Sequence, residues 1–371
     1  MRRRQQQGFT IVELMVAIAV TLIMMTAAMM IYRRSVQVSG LVTNRAEMQS
    51  ELRGAADQIA RDLNQAGTGI PIGGLPIPSS ATGGKDPQFG CDASQCYLTS
   101  GNSMTTGVLY KVIPGNGIGP TTTEATDAIV ITYLEPIAVD PNDPNASGTA
   151  PNWSTYTTQT IADDGSTLTM PAGTTPTISD PAFGLVLGDV LMVQNSSGSA
   201  LGVVTGFDGS SNTITFGAND ALNLNQATAP IGNIAALKLN PVPGAGPKYP
   251  PSTVSRIMMI TYFIQPVTTS SGTDYRLMRQ VDARTPTPVA EHIEDLQFTY
   301  DVFDDTSSTV TSNLPDAATG TPPTPKPNQI RKINMTITAR SSRPNAQGVY
   351  DRTTVTTSIG PRNLSFHDRY N

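Results

Sequence analysis

The sequence predicts an α+β protein: one long N-terminal α-helix, apolar in its first half, packed on an antiparallel β-rich head. Three observations predict it. From Phe9 to Ile31 the chain is apolar with one ionisable side chain, Glu13, and such a run makes a helix able to cross about 30 Å of hydrocarbon. Beyond it the pattern stays helical but turns amphipathic until Gly67, Gly69 and Pro71, residue types that end helices. Ten β-rich segments then follow between turn residues, with no helical periodicity among them, which implies hairpins and antiparallel order.

Composition narrows the function classes. Charged residues are 14% of the chain, and 32 Gly and 29 Pro accompany many Thr, Ser and Asn; long turns and irregular loops follow from that mixture. Hydrophobic residues at 38% still supply a sizeable core. The net charge of −5 argues against nucleic-acid binding, which needs a basic surface to displace counterions. Removing residues 1–8 would take three arginines away, so that 24 basic side chains become 21 against 29 acidic ones.

The helix begins after a basic stretch, M-R-R-R-Q-Q-Q-G. Arg2, Arg3 and Arg4 favour a cytoplasmic N-terminus, while Arg33 and Arg34 beyond the apolar run oppose that orientation, so charge alone does not decide it. Glu13 has two readings. A carboxylate near a helix start complements the dipole, and an acid within an apolar helix usually has a partner or a task. From residue 32 on, Leu41, Met48, Leu52, Ala55, Ile59 and Leu63 recur at spacings of three, four and seven, a stripe suited to packing on the head or, alternatively, to a coiled-coil partner. Arg45, Glu47, Glu51, Arg53, Asp57, Arg61 and Asp62 fall mainly on the other faces. A helix over 9–66 would be about 87 Å long, with Gly40 and Gly54 as its weakest points.

The residues G-F-T-I-V-E-L at 8–14 resemble the cleavage and methylation motif of type IV pilins and type II secretion pseudopilins: a short basic leader, Gly, Phe, a triplet, Glu, and an unbroken apolar helix. The resemblance implies that prepilin peptidase cuts between Gly8 and Phe9 and methylates the new Phe9 amine. It also implies that Glu13 pairs with the Phe9 amine of a neighbouring subunit during assembly, since opposite charges in a low-dielectric core are tolerable only together. An ordinary secretory signal needs a small-residue cleavage site after its apolar core, and Thr26-Ala27-Ala28 is a poor one. A plain anchor accounts for neither Glu13 nor the Gly8–Phe9 junction. Major pilins often carry a helix-breaking proline in this segment; here 9–66 has none, which predicts a more continuous helix.

Further along, A-R-D-L-N-Q-A-G at 60–67 is similar to the end of this helix in PilW-type minor pilins. So, in patches, are D-A-I-V-I-T-Y, G-D-V-L-M-V, the L-x-R strand after Tyr275, V-A-E-H-I-E-D-L-Q-F-T-Y at 289–300, R-S at 340–341 and R-N-L at 362–364. The resemblance implies a leader at 1–8, a transmembrane and filament-core helix at 9–66 and a periplasmic or extracellular head at 67–371. The chain would sit in the inner membrane as a single-pass precursor and later in the pilus at the cell surface. Its partners would be minor and major pilins, prepilin peptidase and the inner-membrane assembly platform, with no cofactor. The expected role is a minor pilin that primes assembly at or near the tip; a J-like minor pseudopilin of type II secretion and a tip adhesin are the rivals.

In the head, strands are expected at 108–113, 127–134, 188–193, 200–207, 212–216, 255–264, 275–281, 293–302, 330–340 and 352–359. The third, fourth and fifth are expected to form one antiparallel group, with a smaller β subdomain in the middle of the chain. Residues 67–90 read as an extended crossing, and 139–151, 240–251 and 304–327 as linkers or surface loops. Ile333, Met335 and Ile337 alternate with Lys332, Asn334 and Thr336, so one face of the last sheet can pack on the helix and the other stay wet. Cys91 and Cys96 are the only cysteines; in an oxidising compartment a pair this close forms a disulfide, stabilising by about 2 kcal/mol.

No catalytic constellation is legible. His292 and His367 lie far apart, and His292 reads as a half-exposed polar residue at a strand start. There is no P-loop, and G-N-G-I-G at 115–119 lacks the strand–helix context of a nucleotide fingerprint and reads as a loop. D-P-N-D-P-N at 140–145 and D-D-T-S-S at 304–308 offer oxygens but lack the EF-hand spacing. The single Trp153 reads as a core plug. The chemistry expected is association, with no enzymatic activity.

Overall fold

The computed structural model describes residues 10–91, 95–99, 107–121, 124–135, 156–157, 160–171, 178–179, 184–239, 249–269, 272–321, 323–342, 344–345 and 348–364. It is an α+β fold: one helix, α1 (Ile11–Gln65), and sheets in which every ladder is antiparallel. The helix is unbroken through Gly40 and Gly54, and open space surrounds both. It ends where Ala66 caps it and Gly67 takes φ +78°. There the Gly67 N–H donates to the Thr132 carbonyl, and a Cβ would fall 2.6 Å from the Lys111 side chain. Glycine is therefore required both by conformation and by close approach.

The main sheet has eight strands. Seven are β1 (Val112–Gly115), β2 (Ala128–Leu134), β3 (Val190–Asn195), β4 (Gly198–Val203), β5 (Thr253–Thr269), β6 (Gly272–Val281) and β7 (Thr287–Glu291), and Tyr156–Thr157 is the eighth. The order is β4-β3-β5-β6-β7, with β2 also on β5 and β1 on β2. A second sheet has the order β9-β8-β10-β11, made of β8 (Ile293–Asp304), β9 (Thr309–Leu314), β10 (Ile330–Arg340) and β11 (Arg352–Ile359). The second half of α1 packs over the inner faces of both. Leu52, Ile59 and Leu63 are buried with Ile131, Tyr262, Phe298, Met335 and Ile337. The opposite face of the main sheet holds a second core, including Phe89, Val130, Met192 and Phe263.

Several sequence expectations need correction. The segment 108–113 breaks into two short strands at Tyr110 and Lys111, because Lys111 turns inward and donates to the Asn363 carbonyl at 2.9 Å. The segment 200–207 divides at Val204 and Thr205, and 212–216 does not join the main sheet. Gly206–Asp208 and Thr213–Thr215 pair in a separate four-stranded sheet with Thr160–Ile161 and Thr167–Thr169, over its own core of Leu168, Ile214 and Phe216. That sheet is the smaller β unit; the expected pairing of the third strand with the fourth holds as β3 with β4, and that of the fourth with the fifth as Gly206–Asp208 with Thr213–Thr215, but in two different sheets. Residues 67–90 are not all loop, since Leu75–Pro76 and Gln88–Cys91 form strands. Residues 304–327 contain β9 and the Ala318–Thr319 and Thr324–Pro325 ladder. On α1, Leu41 is 41% exposed and leaves the packed stripe, whereas Asp62 is buried. Trp153 and residues 139–151 and 240–248 lie outside the described residues.

Two buried acids replace missing strand partners. Asp282, at φ +53°, sits where β3 and β6 meet along β5. Its Oδ1 accepts from the Met259 N–H at 2.7 Å and its Oδ2 from the Val190 N–H at 3.3 Å. Asp127 accepts from the Gly117 and Phe298 N–H groups, both at 2.7 Å. Burial pushes Asp282 up to about 8 and Asp127 up to about 6. Both folded values exceed the ordinary carboxylate range, so the folded chain holds protons that the unfolded chain releases. The stability they give is complete below about pH 4 and is lost as pH rises through about 6 and about 8. The melting temperature of the full chain in detergent is expected to fall by on the order of 5 °C between pH 5 and pH 8, and Asp282→Asn should flatten that slope. A melting temperature that rises over this range would contradict the assignment.

Candidate assembly site

The start of α1 is a capping box. Thr10, at φ −81° and ψ 151°, is the N-cap; its Oγ1 accepts from the Glu13 N–H at 3.2 Å. Glu13 reaches back, and its Oε2 accepts from the Thr10 N–H and the Thr10 hydroxyl, each at 3.0 Å. The T-x-x-E spacing of 10–13 is the sequence signal for this arrangement. It gives Glu13 a local role and holds the carboxylate at the helix tip, facing solvent. Among the described residues only Oε2 is engaged, and a carboxylate has capacity for further donors.

From Ile11 to Thr43 every residue is exposed. Side chains such as Ile11 (79%), Ile23 (70%), Met25 (69%) and Ile31 (69%) have no partner surface in the head. The first buried position is Met48. At 1.5 Å per residue the exposed part is about 50 Å long, more than a bilayer core needs. Its best 18-residue window has mean hydropathy 2.5, so the helix is long and apolar enough to cross a membrane. The two threonine hydroxyls of its apolar part, 11–31, are internally satisfied, with Thr21 Oγ1 donating to the Ala17 carbonyl at 2.7 Å and Thr26 Oγ1 to the Leu22 carbonyl at 2.8 Å. No backbone or hydroxyl group of these turns is left to seek water in an apolar medium. Glu13 is the one ionisable side chain between Ile11 and Ile31, and it is placed at the very tip.

Among the described residues, the second half of the helix is tied to the head by one buried polar cluster. Asp62 Oδ2 accepts from the Tyr262 hydroxyl at 2.6 Å and from Arg279 Nε at 2.9 Å. Tyr262 and Arg279 face each other across the β5–β6 ladder, so the sheet presents two donors side by side to one helical carboxylate. Burial first and the Asp62 charge second push the Tyr262 phenol well up. Leu63 next to it continues the apolar stripe, and sequence spacing alone places Asp62 outside that stripe.

The other candidates fall as follows. Gly8 and Phe9 lie outside the described residues. Cys91 and Cys96 are joined as a disulfide between paired residues of the hairpin Gln88–Cys91 and Cys96–Thr99, and the Cys91 N–H donates to Gln280 Oε1 at 2.9 Å. His292 is at φ +57° between β7 and β8, with Nδ1 2.8 Å from Asp274 Oδ2; it belongs to a surface pair beside Arg340. Asp304 caps its own turn through the Thr306 N–H and the Ser307 hydroxyl, and Asp305 pairs with Lys326. Asp140 to Asn145 are outside the described residues. The turn at Asn116 and Gly117 is pinned by Asp127.

Residues 3–29 match the family model described as the prokaryotic N-terminal methylation motif. No curated protein and no solved structure matches the chain. The motif supports a type IV pilin or pseudopilin and implies prepilin peptidase processing and pilin assembly. With the apolar helix it fits membrane anchoring followed by incorporation into a pilus.

Proposed function

We propose that this chain is a minor pilin of a type IV pilus, a subunit that primes filament assembly at or near the tip. The observation that carries the reading is the exposed apolar half of α1, tipped by Glu13 and overlapped by the methylation motif at 3–29. In this reading residues 1–8 are a leader, cut by prepilin peptidase after Gly8, and the Phe9 amine is methylated. The helix bundles with those of other minor and major pilins, and Glu13 meets the Phe9 amine of a neighbour. Before assembly the chain is held in the inner membrane with its head in the periplasm, in contact with the assembly platform; afterwards it is at the cell surface. The size of the head favours a tip position, where bulk meets fewer neighbours. The Cys91–Cys96 disulfide suits an oxidising compartment.

Mass spectrometry of the mature N-terminus tests the premise. The expected chain begins with N-methylated Phe9. An uncut chain, or one cut near Ala28, would remove the basis for the reading. Deletion then separates a pilus from a secretion role: loss of surface pili is expected, whereas loss of protein export with pili intact would assign the chain to a type II secretion pseudopilus instead.

A further inference from the structure

The edges of the sheets are not equivalent. β1 carries Pro114, and β7 carries Pro288 with a register shift opposite Leu277 and Met278. β9 faces a register shift between Tyr300 and Val302. At the end of β4, the Asn225 side chain takes both the N–H and the carbonyl of Val203, and the turn Ile234–Leu237 packs against the strand. Proline, bulges and covering groups are how proteins prevent a sheet from growing. Among the described residues β11 has none of them. All eight of its residues, R-T-T-V-T-T-S-I, pair with β10 in unbroken register. No strand lies on its outer side among the described residues. Its one charge, Arg352, is paired with Glu294.

The direction of the free backbone groups follows from the ladder. The Ser341 N–H donates to the Asp351 carbonyl, which fixes the alternation. Thr353, Val355, Thr357 and Ile359 spend their backbone bonds on β10. Thr354, Thr356 and Ser358 turn theirs outward. β11 is also the strand most extensively in contact with α1, so its open edge is continuous with the helix that bundles.

From this we infer that β11 accepts an added antiparallel strand from a neighbouring, unlike pilin-type subunit of the same helix bundle. A second copy of this chain does not fit. The other edge strands of the two large sheets carry a proline, a register shift or a cover, and antiparallel pairing of β11 with β11 uses a two-fold axis normal to the sheet. That axis reverses every direction in the sheet plane, including that of the helix lying on its face, whereas chains anchored in one membrane carry their helices the same way. The partner is therefore a subunit whose own open edge is a different one. The inference rests on the bundling role proposed above.

Amide hydrogen exchange on the full-length chain tests it directly, comparing the chain alone in detergent with the chain in its membrane-extracted assembly. The amides of Thr354, Thr356 and Ser358 are expected to slow by about 100-fold in the assembly, while those of Thr353, Val355 and Thr357 change little. Equal exchange of the outward amides in both states would overturn the inference. Thr356→Pro removes one outward donor at a position where an edge tolerates proline. That variant should be cut, methylated and as heat-stable as the parent, yet be lost from the assembly; assembly at the parent's level would overturn the inference. A concentration-dependent dimer of the parent in detergent, abolished by Thr356→Pro, would overturn the choice of an unlike partner. Failure of the bundling role shows differently, as normal assembly of a Glu13→Gln chain.

Discussion

Glu13→Gln is expected to remove the chain from assembled filaments while leaving its helix intact. The carboxamide still accepts from the Thr10 N–H, so the capping box survives, and only the negative charge goes. If the charge serves to neutralise a neighbour's Phe9 amine, its loss leaves an unpaired cation in an apolar bundle. That costs several kcal/mol, and each 1.4 kcal/mol is about tenfold in an association constant. The fraction of chain recovered in filaments should therefore drop by about tenfold or more, with cleavage and methylation at Phe9 and head stability unchanged. Thr10→Ala is the complementary change. It removes the hydroxyl that accepts from the Glu13 N–H at 3.2 Å and donates to the carboxylate at 3.0 Å, at a cost of about 1 kcal/mol to the helix end, but keeps the charge. Assembly should persist in Thr10→Ala. If the two variants behave alike, Glu13 acts only as a cap, and the intersubunit pairing is wrong.

The helix was the most legible part of the chain because two signals agree there. An apolar run must be helical in a membrane, and Gly67 and Gly69 end it with positive φ values of 78° and 69°. The long strands β8, β10 and β11 were legible for a related reason: their alternation is set by burial on one face, as in Ile333, Met335 and Ile337, all fully buried, whereas β5 was legible as a continuous apolar run buried on both faces. Short strands were not. Gln88–Cys91 and Thr309–Leu314 lie in Pro-, Gly- and Thr-rich stretches where pattern and propensity are silent, and tertiary contacts decide. The split at Val204 has the same origin, since its N–H bonds to the Asp189 carbonyl while the Thr205 N–H bonds to Thr215, partners that only the folded chain brings together. At the assembly site the T-x-x-E spacing was readable, but Asp62 was not. A lone acid one residue off an apolar stripe looks solvated until the sheet supplies its donors.

Asp62→Ala is expected to be the most damaging single change in the head. Asp62 is 5% exposed, and its Oδ2 takes both the Tyr262 hydroxyl and Arg279 Nε. Truncation leaves a phenol and a guanidinium without their shared acceptor. The Arg279 side chain keeps 20% exposure, so water offsets part of the penalty, and a loss of about 3 kcal/mol in chemical denaturation is expected, at the low end for a broken buried pair. Asp62→Leu with Arg279→Met should recover much of that loss, because apolar side chains of similar size remove the stranded charge as well as the acceptor. The consequence reaches beyond stability. The exposed half of α1 has no contact with the head, so any pull on the helix passes to the head through the buried positions from Met48 to Leu63 and this one polar tie. In Asp62→Ala, amide exchange should rise along the second half of α1 and stay unchanged before Thr43. A variant within about 0.5 kcal/mol of the parent, with exchange unchanged along the whole helix, would show that apolar packing alone holds helix to head.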